Sequence, residues 1–133
     1  MAEGMSELTY ARTDIYCNLG ENRRPLVRLH GEVKTPPFTA AARLEAGVLL
    51  RRLQRGDTMA LPHVRPLPVL GARCAELRIP DATATWRILY RVDPDAVVIA
   101  AVFAKKTQAT PVTILAAARA RLRHYDQVIT GEV

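Results

Sequence analysis

Aromatic residues are scarce: one tryptophan, four tyrosines and two phenylalanines make up 5% of the 133 residues. That supply is poor for stacking bases and argues against a single-strand-binding platform. Only two cysteines occur, Cys17 and Cys74, far apart and without CxxC spacing. This argues against a disulfide framework or a zinc site. The longest apolar run, residues 96–104, is too short to span a bilayer, and no charged-then-apolar leader opens the chain. A cytoplasmic protein without a membrane segment is therefore expected. No Gly-rich phosphate loop, no cluster of metal ligands and no Ser or Cys triad spacing is found, so neither a cofactor nor a metal is expected.

What is present points to one globular domain. About half of the residues are apolar (49%), a quarter are charged (24%), and the nine prolines are clustered, a composition that is neither disordered nor fibrous. The net charge of +6 is unevenly spread. Residues 1–34 are balanced, whereas residues 43–124 hold fourteen basic and six acidic side chains. A field of this sign favours a polyanion or an acidic protein partner.

The order of elements reads as α+β. Residues 1–24 are weakly periodic and are read as an irregular extension. Leu26 to Val33 alternates as a first strand, and Thr35-Pro36-Pro37 ends it. A helix follows, capped by Thr39 and ended by Gly56, with Ala42, Ala46, Leu49, Leu50 and Leu53 as its apolar stripe. The proline-rich stretch from Gly56 to Gly71 reads as a loop. Cys74 to Ile79 and Thr85 to Val92 then form a hairpin, and Ala96 to Ala104 is a strand covered on both faces, hence central. A last helix is capped by Thr110 followed by Pro111, with Leu115, Ala118, Leu122 and Tyr125 as its seam and Arg119, Arg121 and Arg123 near its C-terminal dipole end.

Alternation in the hairpin turns Ala75, Leu77, Ile79, Trp86, Ile88, Tyr90 and Val92 to the core. The other side then displays Glu76, Arg78, Arg87, Leu89 and Arg91, with Lys105 and Lys106 arriving at the end of the third strand. Like charges on one sheet face repel unless an anion neutralises them, and phosphate is the obvious candidate. Arginine holds a phosphate through two parallel hydrogen bonds, and a lysine among other cations loses its proton readily enough to act as a base. Glu76 and His63 are alternative acid-base groups. The competing reading is that this side is simply the solvated face of a one-sided antiparallel sheet. Trp86 and Tyr90 read as core packing.

Glu76-Leu77-Arg78, the strand from Trp86 to Tyr90 and the run from Phe103 to Pro111 together resemble the C-terminal half of toxins of the RelE/HigB superfamily, in its phage-derived-protein branch. Residues 64–67 and 70–71 resemble the loop before the hairpin in that branch, and Gln54-Arg55-Gly56 its helix ending; Ala109 stands where the branch has a second lysine. The resemblance covers roughly residues 39–124. It implies a small twisted, mostly antiparallel sheet of about four strands with helices packed on one side, residues 25–133 forming a single toxin domain. It further implies the toxin of a type II toxin–antitoxin pair, a metal-independent endoribonuclease cutting mRNA on the ribosome. A cognate antitoxin, expected to carry a helix-turn-helix and to form a hetero-oligomer with the toxin, is the implied protein partner. By position, Arg87 matches the arginine at the scissile phosphate, Lys105 or Lys106 the basic pair at the strand end, and Arg78 a basic residue on the neighbouring strand. Arg91, Arg65, His63 and Thr107 are expected to contact RNA. A non-nucleolytic inhibitor like the gyrase-poisoning ParE relatives, or an inactive antitoxin-bound remnant, is the alternative.

Overall fold

The computed structural model describes residues 12–13, 24–29, 39–59, 62–82, 84–105 and 110–131. Six strands form one mixed sheet: β1 (Arg12–Thr13), β2 (Leu26–Arg28), β3 (Val64–Pro66), β4 (Cys74–Pro80), β5 (Thr85–Val92) and β6 (Val97–Lys105). Their order across the sheet is β1-β2-β6-β5-β4-β3. The β2–β6 pair is parallel and all others are antiparallel. Among the described residues, α1 (Ala40–Gln54) and α2 (Val112–Thr130) are the helices.

The first helix starts where Thr39 Oγ1 accepts the Ala42 N–H at 3.1 Å, satisfying one of the orphan donors of a helix N-terminus. The Thr39 hydroxyl also donates to Asp81 Oδ1 at 2.8 Å, which ties the cap to the β4–β5 turn. Gly56, at φ +88°, takes the left-handed turn that ends the helix. Spacings of three and four residues bury Ala42, Ala46, Leu49 and Leu53 against the sheet. Gly131, at φ +78°, closes α2 in the same way.

One irregularity sets the faces of the central strand. Leu89 pairs with Ala101 and Tyr90 with Ile99, so Ala100 is an extra residue in β6. A bulge of this kind shifts the alternation. Val97, Ile99 and Val102 therefore meet α1, while Val98, Ala100, Ala101 and Phe103 lie on the other side. The Ala100 carbonyl accepts Arg121 Nη1 at 2.7 Å, an anchor for α2.

Two cores result, one on each face. Ala42, Ala46, Leu49 and Leu53 of α1 pack with Leu77, Ile79, Ile88, Tyr90, Val97 and Ile99. Ala118, Leu122 and Tyr125 of α2 pack with Val27, Leu29, Leu89, Val98 and Ala100. Ile88 and Leu89 are adjacent on β5 and point to opposite faces, so the two helices sandwich the sheet. This corrects the expected arrangement of helices on one side, and six strands replace the expected four. β3 lies within the stretch read as a loop; Pro66, exposed on this edge strand, has no N–H to contribute to pairing. Of the first strand read at Leu26 to Val33, Leu26–Arg28 is strand, and residues 30–33 lie outside the described residues. Within the extension read as irregular, Arg12–Thr13 pairs with β2; Cys17 and the rest of it lie outside the described residues.

Burial pushes the Tyr90 hydroxyl up to about 12. Its neutral form is favoured in the fold, so its contribution is intact below the unfolded value near 10 and declines as pH rises from there through about 12. Spectrophotometric titration at 295 nm should show one tyrosine ionising late, with stability falling over that window; Tyr90→Phe should abolish that part of the fall.

Candidate functional site

The pleat directs Cys74, Glu76 and Arg78 of β4, and Arg87, Leu89 and Arg91 of β5, toward the α2 face. α2 covers much of that face. Arg87 is 3% exposed and Glu76 is fully buried. Arg87 Nη1 donates to Glu76 Oε1 at 2.9 Å, and the Thr110 hydroxyl donates to Glu76 Oε2 at 3.0 Å. Thr110 thus serves the buried carboxylate instead of capping α2, whose N-cap, Pro111, makes no side-chain bond.

A second buried arginine is matched more completely. Arg91 donates from Nε and Nη2 to the two oxygens of Asp93, at 2.8 and 2.9 Å. From Nη1 and Nη2 it also donates to the two oxygens of Asp126, at 3.1 and 2.7 Å. Two forks on one guanidinium are a strong, directional arrangement. Burial opposes the charge on Arg91, but the hydrogen bonds to Asp126 and Asp93 outweigh it and raise its pKa above the ordinary value. The pairing bolts α2 to β5.

The expected open, solvated cationic face is therefore corrected. Arg87, Arg91 and Glu76 belong to the interior, each matched by opposite charge, because α2 brings Asp126 and Thr110 down on that side. As placed, Glu76 accepts from Arg87 and Thr110 and has no surface from which to take a substrate proton, and Arg91 is closed off by two carboxylates.

A smaller cationic group remains at the β3 edge. Arg78 lies directly opposite Arg87 in register, and Arg65 opposite Glu76. Val64 is buried on the α1 side, so alternation sets Arg65 on the same side as Arg78. Arg65 is exposed and Arg78 half-buried. Among the described residues neither side chain has a hydrogen bond or ion pair. Arg65, Arg78 and Arg87 set against the one carboxylate of Glu76 leave a local excess of positive charge. The backbone of Lys105 ends β6 opposite Thr85, at the strand end nearest Arg78; its side chain, Lys106 and Thr107 lie outside the described residues. His63 is not part of this group. Its carbonyl accepts the Arg78 N–H at 2.8 Å, but its ring lies 3.9 Å from Glu45 of α1, on the opposite face.

Thr110, read from the sequence as the cap of the last helix, instead partners Glu76, and Asp126 escaped the sequence reading. Asp126 is the acidic residue beside Tyr125 in a mostly basic helix, which was the available signal. Among the described residues, no group of three or more His, Cys, Asp or Glu side chains is placed to hold a metal ion, and no helix is long and apolar enough to cross a membrane.

The family described as Phage derived protein Gp49-like (DUF891) matches residues 37–123, a span that takes in α1, β3 to β6 and much of α2. No curated protein and no solved structure matches the chain.

Proposed function

This chain belongs to the Gp49-like phage-derived protein family, a toxin-like family in toxin–antitoxin systems, and from that premise we propose that it arrests translation by cutting mRNA held on the ribosome. The observation that carries the reading is the pair of arginines without a polar partner among the described residues, exposed Arg65 on β3 and half-buried Arg78 on the adjoining β4, on the sheet half that also holds the end of β6 at Lys105, with β5 between. Their guanidinium forks would take the non-bridging oxygens of one phosphodiester, whose charge grows in the transition state. Lys105 or Lys106 would accept the proton of the ribose 2′-hydroxyl. The 2′ oxygen then attacks phosphorus, the bond to the 5′ oxygen breaks, and that oxygen takes up a proton. The ends left are a 2′,3′-cyclic phosphate and a 5′-hydroxyl. The ribosome would hold the message in line, which a small protein cannot do alone. The buried Arg87–Glu76 pair acts through position, holding β5 against β4 so that Arg78 faces the edge.

Inhibition would come from an antitoxin with an acidic segment covering Arg65 and Arg78, steered by charge and weakened by salt. A second reading is favoured by one feature: with Arg87, Arg91 and Glu76 locked inside, fewer groups remain for chemistry, as suits an inhibitor of the gyrase-poisoning kind. Product chemistry separates the two. Purified protein added to ribosomes on a defined message should leave cyclic-phosphate ends, and cutting should persist in chelator. Intact message, with a DNA-damage response in expressing cells, would establish the inhibitor instead.

A further inference from the structure

At the other end of the β4–β5 hairpin lies a cleft of about 300 Å³ between the turn before β4 and the C-terminal half of α2. Clefts of this size suit small molecules. Its charged lining is Arg73, Arg91, Arg119, Arg123 and Asp126, and Leu70, Cys74 and Leu122 are among its apolar residues. Asp93 reaches the same arginines from behind, 3.4 Å from Arg73 and 2.8 Å from Arg91. Four guanidinium groups against two carboxylates leave a charge of about +2, which suits a dianion.

Three features single out this cleft. Arg119 and Arg123 stand four residues apart on one face of α2, a like-charge spacing that a helix disfavours unless something neutralises it. Arg119 donates to the Val69 carbonyl at 2.9 Å, whereas Arg123 is exposed and makes no hydrogen bond or ion pair among the described residues. Facing them is Arg73, at φ +64°, the one non-glycine residue with positive φ among those described. A positive φ is an uncommon, mildly costly conformation for a residue other than glycine, and the Arg73 side chain held there is turned toward Asp93 at the cleft. Burial also pushes the Cys74 thiol up, so it adds no competing negative charge at neutral pH.

We propose that this cleft binds a phosphate monoester, gripped by Arg73 and Arg123 across the opening with Arg119 beside them, while Arg91 is held in the wall by Asp93 and Asp126. The site goes beyond the RNA-cutting reading: Arg78 and Lys105 lie at the opposite end of the hairpin and do not line it.

The test is calorimetric titration of the full chain with inorganic phosphate, AMP, adenosine and polyglutamate. Phosphate and AMP should saturate, adenosine should not, and binding should weaken with salt. Tighter binding of AMP than of phosphate identifies a nucleotide; equal binding identifies phosphate alone; both support the site. Arg123→Glu should weaken AMP binding by at least about tenfold with an unchanged melting temperature. Arg73→Gly should weaken it comparably while relieving the backbone. Arg78→Glu should bind AMP as wild type does, which keeps this result separate from the fate of the nuclease reading. No saturable binding of AMP or phosphate below about 10 mM, or wild-type affinity in both the Arg73 and Arg123 variants, would overturn the proposal. Saturation by polyglutamate alone would overturn it in favour of an acidic protein segment.

Discussion

Glu76→Ala should lower the free energy of unfolding by about 3–5 kcal/mol, because it strips Arg87 of its carboxylate at a site only 3% exposed. For a domain of this size that is a fall in melting temperature of roughly 10–20 °C. Thr110 loses its acceptor in the same step. Arg87→Ala should cost a similar amount for the mirror reason, a carboxylate left buried without its guanidinium. The pair itself is a different matter. Replacing both partners by apolar residues of similar volume, as in the double variant Glu76→Leu with Arg87→Met, should recover most of the loss, since the desolvation penalty of two buried ions vanishes with them. Thermal and denaturant unfolding of the three variants measures this directly. A single variant as stable as wild type would show that the pair is not the buried anchor described. The consequence for function is specific: loss of growth arrest in Arg87→Ala would report a weakened fold, and cannot by itself assign Arg87 to a phosphate.

On the proposed reading, Arg78→Glu should cut the rate of message cleavage by about 10²–10³-fold, the largest effect expected of any change outside the buried pair. Arg78 is half-buried, without a polar partner among the described residues, and stands beside Arg87 in register. Replacing its charge with the opposite one leaves the backbone strand pairing in place, and Arg78→Gln, which removes the charge without setting a carboxylate opposite Arg87, should show the same direction of effect. Where the wild type would offer a fork to a phosphate oxygen, the variant would present a carboxylate that repels it. Arg65→Glu, further out on β3, should have a smaller effect of the same sign. Cleavage rates on ribosome-bound message, measured together with melting temperature, separate loss of contact from loss of fold. Equal rates for wild type and Arg78→Glu would remove Arg78 from the site.

Much of this fold was legible from local chemistry. Thr39 and Gly56 mark the ends of α1 because a cap hydroxyl and a left-handed glycine are needed there. The unbroken apolar run of β6 signals a strand covered on both faces, and β6 lies between β2 and β5. The hairpin of β4 and β5 followed from its alternation and its turn. The position of α2 did not, and the reason is physical. Glu76, Arg87 and Arg91 alternate with apolar neighbours, which is how a solvated sheet face reads, and only a distant partner reveals otherwise. Asp126 stands 35 positions from Arg91, so nothing in the local period announces that it neutralises that guanidinium. The bulge at Ala100 is likewise silent, because an alanine fits either side of a strand. β3 was hidden by Pro66 within it and by the prolines at 62 and 68 on either side, and an edge strand tolerates such a proline. Arg119, Arg121 and Arg123, read as complementing the end of the helix dipole, sit mid-helix because α2 continues to Thr130. At the candidate site, Arg78 and Arg65 remain accessible, whereas the residue matched by resemblance to the scissile phosphate, Arg87, is enclosed.

Expression of the protein in growing cells for a few minutes, followed by mapping of 5′ ends across all transcripts, tests the central claim most directly. New 5′-hydroxyl ends should accumulate within translated regions and should be lost in Arg78→Glu at equal protein levels. Growth arrest with no new transcript ends, or ends equally abundant in the Arg78→Glu strain, would contradict it.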